Sequence, residues 1–162
     1  MGVGVGERLP EGRVIVQGER GPEVVATAGL FAGRRVALFG VPGAYTSTCS
    51  TAHVPSFVRS MGALRAKGVD AVYCLAGNDP FVLRAWGEET GATAAGIVML
   101  GDPSGDWIEA LGQSLEVPHL GFHRRARRFS ALVEDGVVRQ WNEEAGPGAC
   151  EATAGEAMVR SL

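Results

Sequence analysis

The chain carries three cysteines, Cys49, Cys74 and Cys150, and the first has the neighbours that chemistry requires. A continuous apolar run, Val36 to Val41, leads through a turn at Pro42-Gly43 toward Cys49, and apolar residues at helical spacing follow it. This order puts the sulfur at or near the first turn of a helix. Unpaired backbone N–H groups and the positive end of the helix dipole favour thiolate over thiol there. Thiolate is the nucleophilic form. Thr46, three residues before Cys49, supplies a hydroxyl close enough to hydrogen-bond a thiolate or a bound oxygen. An isolated cysteine is more commonly a small, inert, buried hydrophobe, so the neighbours carry the assignment.

The other thiols do not form a Cys-x-x-Cys pair with Cys49. The cysteines are also too few and too scattered for a disulfide-stapled scaffold. His53, His119 and His123 add no metal-ligand spacing, so neither a metal nor a cofactor is expected. His53 follows Cys49 by four residues and reads as a packing or hydrogen-bonding residue, not a general base. The formal net charge of -3 gives no pull toward nucleic acid or an anionic membrane. Against it stands a basic run, Arg124, Arg125, Arg127 and Arg128, which reads as a solvated edge around one functional arginine.

The elements that must position these residues follow from pattern. Val14 to Gln17 and Val24 to Thr27 predict an N-terminal hairpin, and Val36 to Val41 a strand buried on both faces. A helix is expected from about Thr48 to Lys67, kinked at Pro55 because that proline lies too deep for a first turn. Val69 to Leu75 and Ile97 to Leu100 are further strands, with a helix opened by Asp79-Pro80 and running through Glu89. Asp106 to Leu115 predicts a short helix. Asp135-Gly136 joins Arg128–Glu134 to Val137–Trp141 as a hairpin. Thr153 to Glu156 has the form of a capping box before a terminal helix. The pattern describes one domain over residues 1–162, α/β in class, with a thioredoxin-like mixed sheet flanked by helices. No segment is apolar enough to span a membrane, and the N-terminus has no secretory pattern, so the expected location is cytoplasmic unless the chain is a processed organellar form.

Pro42-x-x-x-Thr46-x-x-Cys49 matches the active-site pattern of peroxiredoxins, and the wider string resembles the peroxiredoxin-5, or type II, subfamily. The resemblance runs along nearly the whole chain. It includes Glu7 to Pro10, Leu30 to Phe39, Thr48 to Phe57, Gly68 to Val82 and Arg128 to Ser130. It implies that Cys49 is the peroxidatic cysteine and Thr46 the threonine that hydrogen-bonds peroxide. By the same resemblance, Pro42 is the proline that shields the site and Arg128 the arginine that stabilises the thiolate. Ser47 departs from the pattern, since the family commonly has proline there; the change removes a local restraint on φ.

The resemblance further implies reduction of hydrogen peroxide or an alkyl hydroperoxide through a Cys49 sulfenic acid. It implies recycling by thioredoxin or by glutaredoxin and glutathione, and a homodimer. Three routes resolve the sulfenic acid. Cys150, in a glycine-rich loop before the terminal helix, is similar in placement to the C-terminal resolving cysteine of animal-type members. Cys74 is the alternative resolving or structural thiol, in a string similar to plant and bacterial members. An external thiol is the third route. Two other functions compete: a thioredoxin-like reductase, which lacks its second nearby thiol, and a thiol-based redox sensor or holdase chaperone with little turnover.

Overall fold

The computed structural model describes residues 2–145 and 149–162, and the side chains of Cys49 and Ser50 lie outside the described residues. A hairpin of β1 (Arg13–Gly18) and β2 (Gly21–Ala26) opens the fold. After the short helix α1 (Thr27–Phe31), β3 (Arg35–Gly40) runs through the centre. A π-helical turn (Cys49–His53) continues into α2 (Val54–Ala66). Then come β4 (Ala71–Ala76), α3 (Pro80–Glu89), α4 (Ala92–Ala95), β5 (Val98–Gly101) and α5 (Asp106–Ala110). A separate two-stranded ribbon, β6 (Ser114–Val117) and β7 (Phe122–Ala126), precedes the hairpin of β8 (Phe129–Glu134) and β9 (Val137–Glu143). Helix α6 (Gly155–Ser161) closes the chain.

The main sheet has the order β2-β1-β5-β4-β3-β8-β9. Only β4 pairs in parallel, with β3 on one side and β5 on the other; the other pairings are antiparallel. This is the expected thioredoxin-like mixed sheet with its N-terminal hairpin. Alternation along β3 explains the layering, since successive strand residues face opposite sides. Ala37, Phe39 and Val41 join Phe57, Met61 and Leu64 of α2, Trp86 of α3 and Met158 of α6 in one core. Val36 and Leu38 face the other core, with Phe31, Trp107 and Ile108.

Several local expectations need correction. Pro55 falls in the first turn of α2, because the π-helical turn precedes it. A wider turn accommodates a residue with no N–H whose ring crowds the carbonyl four residues earlier. The predicted helix over 106–115 ends at Ala110. Gly112, at φ 73, turns the chain, and residues 114–117 become β6. Thr153 does not cap α6, whose N-cap position is Ala154. Its hydroxyl donates instead to Glu144, while Glu156 pairs with Arg59. The hairpin turn is as expected, with Asp135 and Gly136 both at positive φ, 47 and 78.

Candidate active site

The site gathers at the end of β3. In the β3–β8 register Gly40 lies opposite Phe129, so the chain leaves β3 toward Pro42 beside the point where Arg128 enters β8. Gly40 is required there: a Cβ would stand 2.1 Å from the Phe129 ring, which is itself stacked on Trp141. Pro42 is buried and Thr46 partly exposed. The Thr46 hydroxyl donates to the Gly43 carbonyl at 2.7 Å, closing the loop on itself.

Two side chains from outside brace this loop. Asn78, just before the Asp79 cap of α3, accepts the Ala44 N–H at 2.9 Å. Arg125 donates to the Pro42 carbonyl at 3.2 Å, its guanidinium 4.8 Å from the centre of the Phe122 ring. The basic run is therefore not a uniform solvated edge. Arg124 pairs with Asp106 and Glu109, Arg127 donates to the Ser114 carbonyl, and Arg128 is buried. Asn78 and Arg125 escape sequence reasoning because both act on backbone across long separations. The only signal for Arg125 is its place in the arginine run.

Cys49 begins the π-helical turn and His53 ends it. The described hydrogen bonds near the helix start include the Thr51 hydroxyl donating to the Ser47 carbonyl at 2.6 Å. His53 is fully buried, 4.9 Å from the Phe39 ring and 5.7 Å from Phe57; those two rings stack at 4.1 Å. Arg128 donates from Nη1 to His53 Nδ1 at 2.9 Å. A guanidinium has no acceptor, so Nδ1 must be the unprotonated nitrogen. The proton then sits on Nε2, which donates to the Thr153 carbonyl at 3.1 Å. Burial first, and the Arg128 charge second, push the imidazole down to about 3.

Among the remaining predicted residues, Cys74 is fully buried in β4, paired in register with Phe39 and Met99. Cys150 is partly exposed, in the segment before α6. Part of its expected glycine-rich loop, Gly146 to Gly148, lies outside the described residues. The structure thus brings Pro42, Thr46, Arg128 and the backbone of Cys49 to one end of β3. Cys74 lies within the sheet.

The Redoxin family matches residues 4–158 of this chain. Peroxiredoxin-2E-2, chloroplastic, of Oryza sativa subsp. japonica is 40% identical over 164 residues, covering 99% of this chain and 72% of the relative. The chain belongs to the peroxiredoxins. Peroxiredoxin-2B of Arabidopsis thaliana is 36% identical over 161 residues, covering 99% of this chain and 98% of its own. The crystal structure of reduced Prx3 in complex with H2O2 from Vibrio vulnificus is similar with TM-score 0.92 and 34% identity, covering 98% of each chain. As a peroxiredoxin the chain is an oxidoreductase of the peroxidase class.

Proposed function

We propose that Cys49 is the peroxidatic nucleophile, with Pro42, Thr46 and Arg128 as its partners, in a member of the peroxiredoxin-5, or type II, subfamily. One observation carries this reading: the permanently charged Arg128 is held by His53, the residue that ends the π-helical turn begun by Cys49. A buried guanidinium at a helix start lowers a nearby thiol pKa and stabilises charge on a departing oxygen. The Thr46 proton is committed to the Gly43 carbonyl, so its oxygen has lone pairs to accept the O–H of an incoming peroxide.

The thiolate attacks the nearer peroxide oxygen, the O–O bond breaks, and the departing oxygen takes a proton as water or alcohol. Cys49 becomes a sulfenic acid. Attack by the Cys150 thiol on that sulfur releases water and leaves a Cys49–Cys150 disulfide, which a thioredoxin or glutaredoxin dithiol reduces. Partial exposure of Cys150 favours it over Cys74, since thiol exchange needs access and Cys74 is closed in the sheet. The same reading proposes a single domain, a homodimer and a cytoplasmic location.

Steady-state peroxide consumption with thioredoxin or glutaredoxin tests the activity. Turnover supports it. Stoichiometric oxidation of Cys49 without turnover on any thiol donor would favour the sensor. A mass spectrum after one equivalent of peroxide tests the second step. A Cys49–Cys150 linked peptide is expected, and a Cys49–Cys74 linkage or a persistent sulfenic acid would overturn the choice.

A further inference from the structure

The turn that carries Thr46 is held in a costly shape from outside. Tyr45 sits at φ 64, a left-handed conformation that a bulky side chain adopts only under constraint. Such a residue persists where its surroundings over-determine it. The two peptide groups that flank Gly43, just ahead of Tyr45, are both fixed. The Pro42 carbonyl accepts from Arg125 Nη1 at 3.2 Å. In the next peptide the Gly43 carbonyl accepts from the Thr46 hydroxyl at 2.7 Å, and the Ala44 N–H donates to Asn78 at 2.9 Å. Arg125 and Asn78 come from other parts of the fold, and they grip the two sides of Gly43.

The surroundings of Arg125 suit this task. Its side chain runs through a slot that two glycines keep open. A Cβ on Gly43 would stand 2.5 Å from Nη1, and one on Gly77 would stand 3.0 Å from Cδ. The guanidinium also lies 4.8 Å from the centre of the Phe122 ring, which limits its swing. The preceding residue, Arg124, anchors the strand. Its N–H donates to Glu116, and its guanidinium pairs with Asp106 and Glu109 and donates to the Ser104 carbonyl. These bonds tie β7 to α5, so the root of Arg125 is fixed before its tip reaches the loop. An arginine on a solvated edge would need none of this.

We propose that Arg125 is a positioning residue for the peroxide: it fixes the Pro42 peptide and, through the turn, the Thr46 oxygen that receives the substrate O–H. The inference rests on the peroxidatic reading of Cys49 and extends the site to the β6–β7 ribbon. Because Arg125 acts on Thr46, its loss impairs the reaction with peroxide and spares thiolate chemistry that does not use Thr46.

The test compares two reagents on the same sulfur. In the reduced full chain, second-order rates of Cys49 with hydrogen peroxide and with iodoacetamide are measured at one neutral pH by peptide mass spectrometry. Both reactions need the thiolate, so their ratio cancels any change in thiolate population. Arg125→Met should lower the peroxide-to-iodoacetamide ratio about tenfold, because small misplacements near reacting atoms carry losses of that order. Gly43→Ala keeps the Arg125 charge but pushes Nη1, the far end of a flexible side chain, off the Pro42 carbonyl. It should lower the ratio similarly, and in the double variant the two losses should not multiply. Cys74, buried in β4, reports folding in the same spectra by staying unalkylated. An unchanged ratio in both single variants, equal slowing with both reagents, or losses that multiply in the double variant overturns the inference. Failure of hydrogen peroxide to oxidise Cys49 in the unaltered chain would instead overturn the peroxidatic reading itself.

Discussion

Acidification below pH 6.5 destabilises the fold through His53, because the unfolded chain takes up a proton that the buried imidazole does not. The imidazole is fully buried and its pKa is pushed down to about 3, first by burial and then by Arg128, against the opposing hydrogen bond to the Thr153 carbonyl. In the unfolded chain the same group titrates near 6.5. Between those values the unfolded chain binds the extra proton, so stability rises with pH through the window and is lost as pH falls from 6.5 toward 3. The slope approaches about 1.4 kcal/mol per pH unit, which gives about 2 kcal/mol between pH 7.5 and 5. His53→Asn lacks this titration and serves as the reference. Urea unfolding of both proteins at the two pH values is the assay. The variant is expected to be less stable at the higher pH, with the gap narrowing by about 2 kcal/mol at the lower one. A gap that stays constant would mean that His53 titrates alike in both states, and the neutral, Arg128-accepting imidazole would be wrong.

Other perturbations separate packing from chemistry. Gly155→Ala would bring a Cβ to 2.5 Å from the Ser56 carbonyl oxygen, so α6 must shift; thermal unfolding should show a loss of about 1–3 kcal/mol. An unchanged Tm would show that α6 docks loosely. Arg128→Lys keeps a charge but loses the planar fork that fits His53 Nδ1. Peroxide reduction should slow, with Arg128→Ala slower still and shifted to a higher pH; an unaltered pH–rate profile in the alanine variant would assign activation of the sulfur elsewhere. Cys74→Ala removes a small buried group and should cost about 1 kcal/mol while turnover persists. Loss of both turnover and disulfide in that variant would move the resolving role to Cys74.

What the sequence made legible was whatever acts locally. The all-apolar run 36–41, the Asp79-Pro80 helix start and the Asp135-Gly136 turn each carry their physics within a few residues, and each lies where its pattern predicts. The π-helical turn was hidden because Pro55 signals only that a regular helix cannot pass through it, not how the backbone yields. Thr153 misled for a related reason. A threonine three residues before a glutamate has the form of a cap, but Glu144, nine positions earlier, offers its hydroxyl a charged acceptor and wins it. At the site, Thr46 and Cys49 could be read from spacing, whereas the roles of Arg128 and Pro42 came with the family resemblance. The braces from Arg125 and Asn78, and the bonds from His53 to Thr153 and Arg128, join residues 34 to 100 positions apart. Only a folded sheet brings those side chains together.

The central claim is that Cys49 attacks the peroxide. Its direct test is hydrogen peroxide consumption by the reduced wild-type chain, Cys49→Ser and Cys150→Ser, each with thioredoxin or glutaredoxin as reductant. Consumption should vanish for Cys49→Ser. Cys150→Ser should still consume about one equivalent of peroxide and hold Cys49 as sulfenic acid, because attack precedes resolution. Sustained consumption by Cys49→Ser would contradict the account at its root.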